Sequence, residues 1–175
     1  MSTVPIYFKG NKVFLLPMER NDIPLIQNWI NDEEISYNNG ARLPVSSDEQ
    51  TAWYEKTAAD NTKKKLIICT NDGEKTGMVS LFNIDHKNRN AEVGIYISGE
   101  HQGKGYAKEA LRLIINFSFN ELNMHKIYAT IAEFNTNSIK LFESLGFICE
   151  CRKKDDRFTN GKFYDVLSYT LFGKS

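Results

Sequence analysis

The feature that most constrains this chain is a run of three segments between residues 91 and 132. "AEVGIYI" (91–97) alternates, with Val93, Ile95 and Ile97 on one side and Glu92, Gly94 and Tyr96 on the other. That is the pattern of a half-buried strand. "KIYATIA" (126–132) reads as a second strand. Between them runs a helix pattern to about Leu122, with Ala107, Ala110, Leu111, Ile114 and Phe117 on one face. A helix joining two strands of one sheet is a crossover, so the two strands should be parallel.

The flanking segments fill in a mixed sheet. "KVFLLPM" (12–18) is a short strand. "ERNDIPLIQNWI" starts a helix with Asn21 or Asp22 as cap and Pro24 in the first turn, and Ile23, Ile26, Trp29 and Ile30 share a face. Residues 31–45 read as a polar loop. "SDEQ" (47–50) has the form of a capping box and opens a second helix carrying Ala52 and Trp53. "KLIICT" and "TGMVSLFN" are strands joined through Asn71-Asp72-Gly73. "FNTNSIKLFESLGF" is a short helix capped from the Asn135–Asn137 region and ended by Gly146. The last 25 or so residues form a hairpin about Asn160-Gly161. The order β-α-α-β-β-β-α-β-α-β-β predicts a mixed α/β sheet in one domain spanning 1–175.

Composition narrows the function. Lys plus Arg equals 22 and Asp plus Glu equals 22, so no overall basic field points to nucleic acid. The N-terminus does not read as a signal peptide, and no stretch approaches the ~20 apolar residues of a membrane span. Cys69, Cys149 and Cys151 are odd in number and read as reduced, buried or half-buried thiols, which suits the cytoplasm. His86, His101 and His125 show no metal-ligand spacing with them, so no metal is expected.

The chemistry is carried by "EHQGKGYAKEA" (100–110), which places a glycine turn between a strand and a helix. The first N–H groups of a helix lack acceptors, and its dipole favours an anion there. Two phosphate motifs fail. Gly103-Lys104-Gly105 is too short for G-x-x-x-x-G-K-[ST], and counting G-x-G-x-x-G/A from Gly103 ends on Lys108. Gln102-x-x-Gly105-x-Ala107 remains.

That pattern resembles the pyrophosphate loop of the GCN5-related N-acetyltransferases (GNAT). "NTNSIKLFESLGF" resembles the family's second motif. "W-x-N-D" near Trp29 to Asp32 and the terminal "NGKFYD" resemble the branch of ribosomal-protein N-terminal acetyltransferases and bacterial spermidine N-acetyltransferases. The resemblance implies a largely antiparallel sheet of about seven strands with one parallel, splayed pair, flanked by about four helices. It implies acetyl-CoA as cosubstrate, with the backbone from Gly103 through Lys104, Gly105, Tyr106 and Ala107 to Lys108 around the pyrophosphate and Gln102 opening the loop. The pantetheine arm would pair with strand backbone near Ile95, Tyr96 and Ile97. Asn135, with Ser138 nearby, would meet the pantetheine side; Asn135 can equally cap its helix.

The implied reaction passes acetyl directly to a primary amine. The acceptor classes are a protein N-terminus, a polyamine such as spermidine, or an amino sugar. Glu92 is the candidate base or water-ordering group; the plain alternative is a strand glutamate paired with a cation. Phe142 stands where spermidine acetyltransferases of the family carry an acidic tyrosine, and it has no O–H to give. The thiolate then leaves without a protein acid, or Tyr37, Tyr96, Tyr106 or Tyr164 substitutes. Failing both, the chain is a non-catalytic acyl-CoA-binding module. Asp32, Glu33, Glu34, Tyr37 and Arg42 are the substrate-side candidates. Dimers are common in the family, so a homodimer is the expected assembly.

Overall fold

The computed structural model describes residues 8–40 and 43–173. Its frame is a seven-stranded sheet in the order β1-β2-β3-β4-β5-β7-β6. The strands are β1 (Val13–Pro17), β2 (Lys64–Thr70), β3 (Lys75–Asp85), β4 (Asn90–Ile97), β5 (Lys126–Ala132), β6 (Ile148–Thr159) and β7 (Lys162–Phe172). Five α-helices are described: α1 (Ile23–Asn31), α2 (Glu33–Asn39), α3 (Ser47–Ala58), α4 (Tyr106–Asn120) and α5 (Thr136–Glu143). Every neighbouring strand pair is antiparallel except β4 and β5, which are parallel as the crossover demands.

Alternation along the strands sends two sets of side chains to two faces. Leu66 and Ile68 of β2, Val79 and Leu81 of β3 and Val93 of β4 join Leu111 and Ile114 of α4 in the larger core. Ile67, Cys69 and Met78 point the other way and meet Ile26 and Trp29 of α1. Both faces are therefore covered, which explains the near-continuous apolar run of β2. Asp22, 2% exposed, ties α1 to the sheet through an ion pair with Lys75 of β3.

Four readings of the sequence need correction. Residues 33–39, read as loop, form α2: the Asp32 carboxylate accepts from the Ile35 N–H at 3.0 Å, Glu33 and Glu34 occupy the first turn, and Gly40 ends the helix at φ 72°. The α3 capping box is Ser46 with Glu49, one residue earlier than Ser47 with Gln50. Asp22 does stand at the α1 N-cap, but its side chain does not cap; it accepts from the Glu19 N–H instead. Of the cysteines, Cys69 is buried, whereas Cys149 and Cys151 are exposed. β6 lies at the sheet edge, where side chains have one strand neighbour rather than two.

Candidate active site

The site is organised by an interrupted ladder. β4 pairs with β5 only at Asn90–Lys126, Ala91–Ile127 and Glu92–Tyr128. Beyond Glu92, β4 stays with β3 as far as Ile97, and β5 stays with β7 as far as Ala132. The strands diverge, so the β4 edge after Glu92 has no β5 partner. Glu92 sits at the apex of this opening. It accepts from the Thr130 hydroxyl across the gap and from Asn83 Nδ2 at 3.1 Å. Asn83 reaches it because β3 bulges there, with Asn83 at φ 49°.

A cleft of about 490 Å³ opens on one side of the divergence. Ile95, Tyr96 and Ile97 of β4 form one wall, and Asn135 and Ser138 of α5 form the other. Gln102, Gly103, Gly105, Tyr106, Ala107 and Lys108 close the end. Gly103 and Gly105 have φ of 74° and 84°, a region glycine enters without strain. A side chain at Gly103 would meet nothing within 4 Å, so the loop faces open space. No side chain caps the α4 N-terminus. The turn thus leaves the first N–H groups of α4 uncapped at the end of the cleft, an arrangement that favours an anion.

Lys104 departs from the expected set. It does not line the cleft; its carbonyl accepts from Lys12 Nζ at 3.0 Å, which pins the loop to the start of β1. Lys12 lies 3.3 Å from where a Cβ on Gly105 would stand, so it is the cation beside the turn. Nothing in the "GNKVF" stretch signals this across 92 residues. His101, 5% exposed, also lines the cleft, with Ser98 Oγ at 2.8 Å and Glu74 Oε2 at 3.1 Å. Asn135 caps α5 by accepting from the Ser138 N–H at 3.1 Å, and it also lines the cleft.

A second cleft of about 480 Å³ lies against the first and shares Asn38, Asn39, Ile95 and Tyr96 with it. Glu92, Gly94 and Thr130 line it, so the β4–β5 opening lies between the two hollows. Its other lining residues include several to which the sequence reading gave no functional role: Gln50 and Trp53 of α3, Lys65 of β2, Phe82 of β3 and Arg157 of β6. Lys65 shares its strand face with Ile67 and Cys69, and a lysine on a buried face was the signal available. Its ammonium lies 4.4 Å from the Phe82 ring centre and 5.1 Å from that of Trp53. Burial, then the charge of Lys63, holds this amine down at about 8.

The substrate-side candidates fall elsewhere. Asp32, Glu33 and Tyr37 line a separate hollow with Phe158. Glu34 lies between that hollow and the first cleft, near Gln102 Nε2 at 3.4 Å. Arg42 lies outside the described residues. Phe142 is 2% exposed and packs edge-on against Phe147, while its neighbour Leu141 faces the cleft. Among the four tyrosines, Tyr37 and Tyr164 pack on Phe134 and line neither cleft. Tyr106 lines the first cleft, and Tyr96 lines both. The Tyr96 hydroxyl points at Met78 Sδ at 3.7 Å, and burial pushes its ionisation upward, which makes it a poor proton donor.

The family model of the acetyltransferase (GNAT) domain matches residues 12–148. The chain belongs to the GNAT acetyltransferase family. It is 33% identical over 157 residues to the spermidine N(1)-acetyltransferase of Vibrio cholerae, covering 90% of this chain and 91% of that one. The crystal structure of the Vibrio cholerae spermidine N-acetyltransferase with CoA and spermine superposes with a TM-score of 0.87 at 32% identity, over 91% of this chain and 95% of that one. A dodecameric structure of the same enzyme in an intermediate state superposes with a TM-score of 0.81 at 32% identity, over 91% and 93%. Membership of the family makes the chain an N-acetyltransferase, with acetyl-CoA as donor. No helix among the described residues is long and apolar enough to cross a membrane.

Proposed function

We propose that this chain passes the acetyl group of acetyl-CoA directly to a primary amine across the β4–β5 opening. The observation that carries the reading is the pair of adjoining clefts, with the glycine turn at the end of one and Glu92 in the other. The donor supplies an activated acetyl thioester. The Gly103–Lys108 backbone, Lys12 and the α4 N-terminus hold its pyrophosphate, and the unpaired β4 edge at Ile95 to Ile97 aligns its arm. An N–H of that edge stabilises the developing oxyanion. The amine must lose a proton, since an alkylamine near pH 7 is almost wholly protonated. Glu92, fixed by Thr130 and Asn83, accepts that proton directly or through water. The C–S bond breaks as the C–N bond forms, and the thiolate departs without a protein acid. The buried Phe142 and Tyr96, whose hydroxyl is directed at Met78 Sδ, support that last point, and Tyr106 is the tyrosine candidate that remains at the first cleft.

Two acceptor classes have support. Kinship to spermidine N-acetyltransferases, with Asp32, Glu33 and Glu34 gathered in one hollow at the start of α2, supports a polyamine. The lining of the second cleft supports a smaller amine that carries its own oxygen, such as a protein N-terminus. The dodecameric relative supports assembly into an oligomer, of which a homodimer is the simplest unit. We read the chain as one domain, and its three free cysteines suit a cytoplasmic enzyme.

The test is thiol release from acetyl-CoA across a panel of spermine, an N-terminal peptide and an amino sugar nucleotide. Turnover well above the buffer blank with any amine is expected. Micromolar acetyl-CoA binding with no turnover on any amine would leave a non-catalytic acyl-CoA module instead.

A further inference from the structure

The second cleft holds chemistry that acetyl transfer does not use. Its charged lining residues are Lys65, Arg157 and Glu92, two cations against one carboxylate. Gln50, 1% exposed, lines the same cleft, and its Nε2 has no hydrogen-bond partner. It is the one such buried side-chain atom among the described residues. Buried amides are nearly always paired, so an orphan donor facing a cleft calls for a ligand. Lys65 tells the same story independently. Its ammonium is half-buried over two aromatic rings and forms no ion pair among the described residues. Phe82, the nearer ring, lies against β4: a Cβ on Gly94 would stand 2.9 Å from it. The lysine is thus held beside the strand that both clefts share.

A desolvated ammonium and an unpaired amide N–H both seek oxygen. A polyamine brings only donors and positive charge. It would leave Gln50 unpaired and meet Lys65 as a like charge. An amine with a carbonyl or carboxylate on the adjacent carbon carries a partner for each kind of group in the cleft, a nitrogen for Glu92 and an oxygen for Gln50 and Lys65. We propose that Gln50 and Lys65 form an oxygen-binding subsite that selects α-amino acyl acceptors over polyamines. This rests on reading the second cleft as the amine side. The oxygen is a free carboxylate in an amino acid and an amide carbonyl in a peptide N-terminus.

The experiment measures thiol release at saturating acetyl-CoA with spermine, free alanine, and a lysine-free peptide with an N-terminal alanine. Wild type, Lys65→Met, Lys65→Arg and Gln50→Leu are compared. Wild type should prefer alanine or the peptide over spermine by at least tenfold in kcat/KM. Either order between those two supports the subsite and identifies its oxygen. Lys65→Met should raise KM for the preferred acceptor at least tenfold, leave KM for acetyl-CoA unchanged, and improve spermine turnover. Lys65→Arg should retain part of the preference. Gln50→Leu should raise the same KM without loss of thermal stability, since it removes an unpaired donor. A wild-type preference for spermine, or a Lys65→Met loss equal across all acceptors, would overturn the subsite. No release with any acceptor would overturn the transfer reading and the subsite together.

Discussion

Lys65 titrates in a window that makes its burial measurable. Its folded value of about 8 lies below the roughly 10.4 of a free lysine. The folded state therefore disfavours the ammonium. Below pH 8 both states carry the charge and the whole unfavourable contribution is present. Between pH 8 and about 10.4 the folded protein sheds its proton first, and the contribution fades. Lys65→Met should accordingly unfold at a higher temperature than wild type at pH 7, with the gap closing as pH approaches 10.4. A gap that is constant with pH would place the effect in packing rather than charge. Glu92 is tested on rate rather than stability. Glu92→Gln keeps the shape and the Thr130 contact but cannot take a proton. It should lower kcat about 10²-fold, leave acetyl-CoA affinity intact, and move the rate–pH profile upward. An unchanged profile would leave Glu92 a structural strand residue.

Among the elements, the glycine turn and α1 invite the sharpest tests. Gly105→Glu puts a carboxylate and a disfavoured left-handed residue at the cradle. It should abolish acetyl-CoA binding in calorimetry while the near-UV circular dichroism stays native. Lys12→Ala, which frees the Lys104 carbonyl, should weaken binding about fivefold, in line with one hydrogen bond of about 1 kcal/mol. Asp22→Ala removes the ion pair with Lys75 and the bond from the Glu19 N–H and loosens α1; since the Lys75 side chain is 37% exposed and regains water, the cost in urea unfolding should be about 1–2 kcal/mol. The strands and long helices were legible because their periods are strong, and the crossover rule then settled the β4–β5 direction. The glycine turn was legible because it is local: glycines, helix start and flanking strand stand within a dozen residues. α2 was missed because a short helix with Ile35 as its buried residue gives little period, and its Asn-rich end reads as turn. The doubled serine allowed two capping frames, and the chosen one assigned Gln50 to a cap when it faces the second cleft. That cleft was illegible because α3, β2, β3 and β6 each contribute one or two side chains to it. Arg157 arrives only through the β6 bulge between Lys153 and Arg157, which re-aims the strand so that its Nη1 donates to the Asn38 carbonyl at 3.1 Å.

For the molecule as a whole, the divergence of β4 and β5 means that the sheet is continuous in outline but open at its centre. Main-chain groups that a closed sheet would pair are left for the donor to satisfy. On the proposed binding mode, an acetyl-CoA arm along β4 would act as a missing strand and join the two halves of the sheet. Acetyl-CoA at about a hundred times its Kd should add about 2.7 kcal/mol to stability, a rise in Tm of about 5–10 °C, and free CoA should do nearly the same. A shift absent with either ligand would mean that the opening is not where they bind. If the donor binds there, the same gap would tie the lifetime of the protein to its supply. When acetyl-CoA is scarce, the centre of the sheet opens more often and a protease finds more cleavable chain. When it is plentiful, the substrate itself splints the fold. Abundance of the enzyme would then follow the supply of the group it transfers, with no regulator other than the gap between two strands.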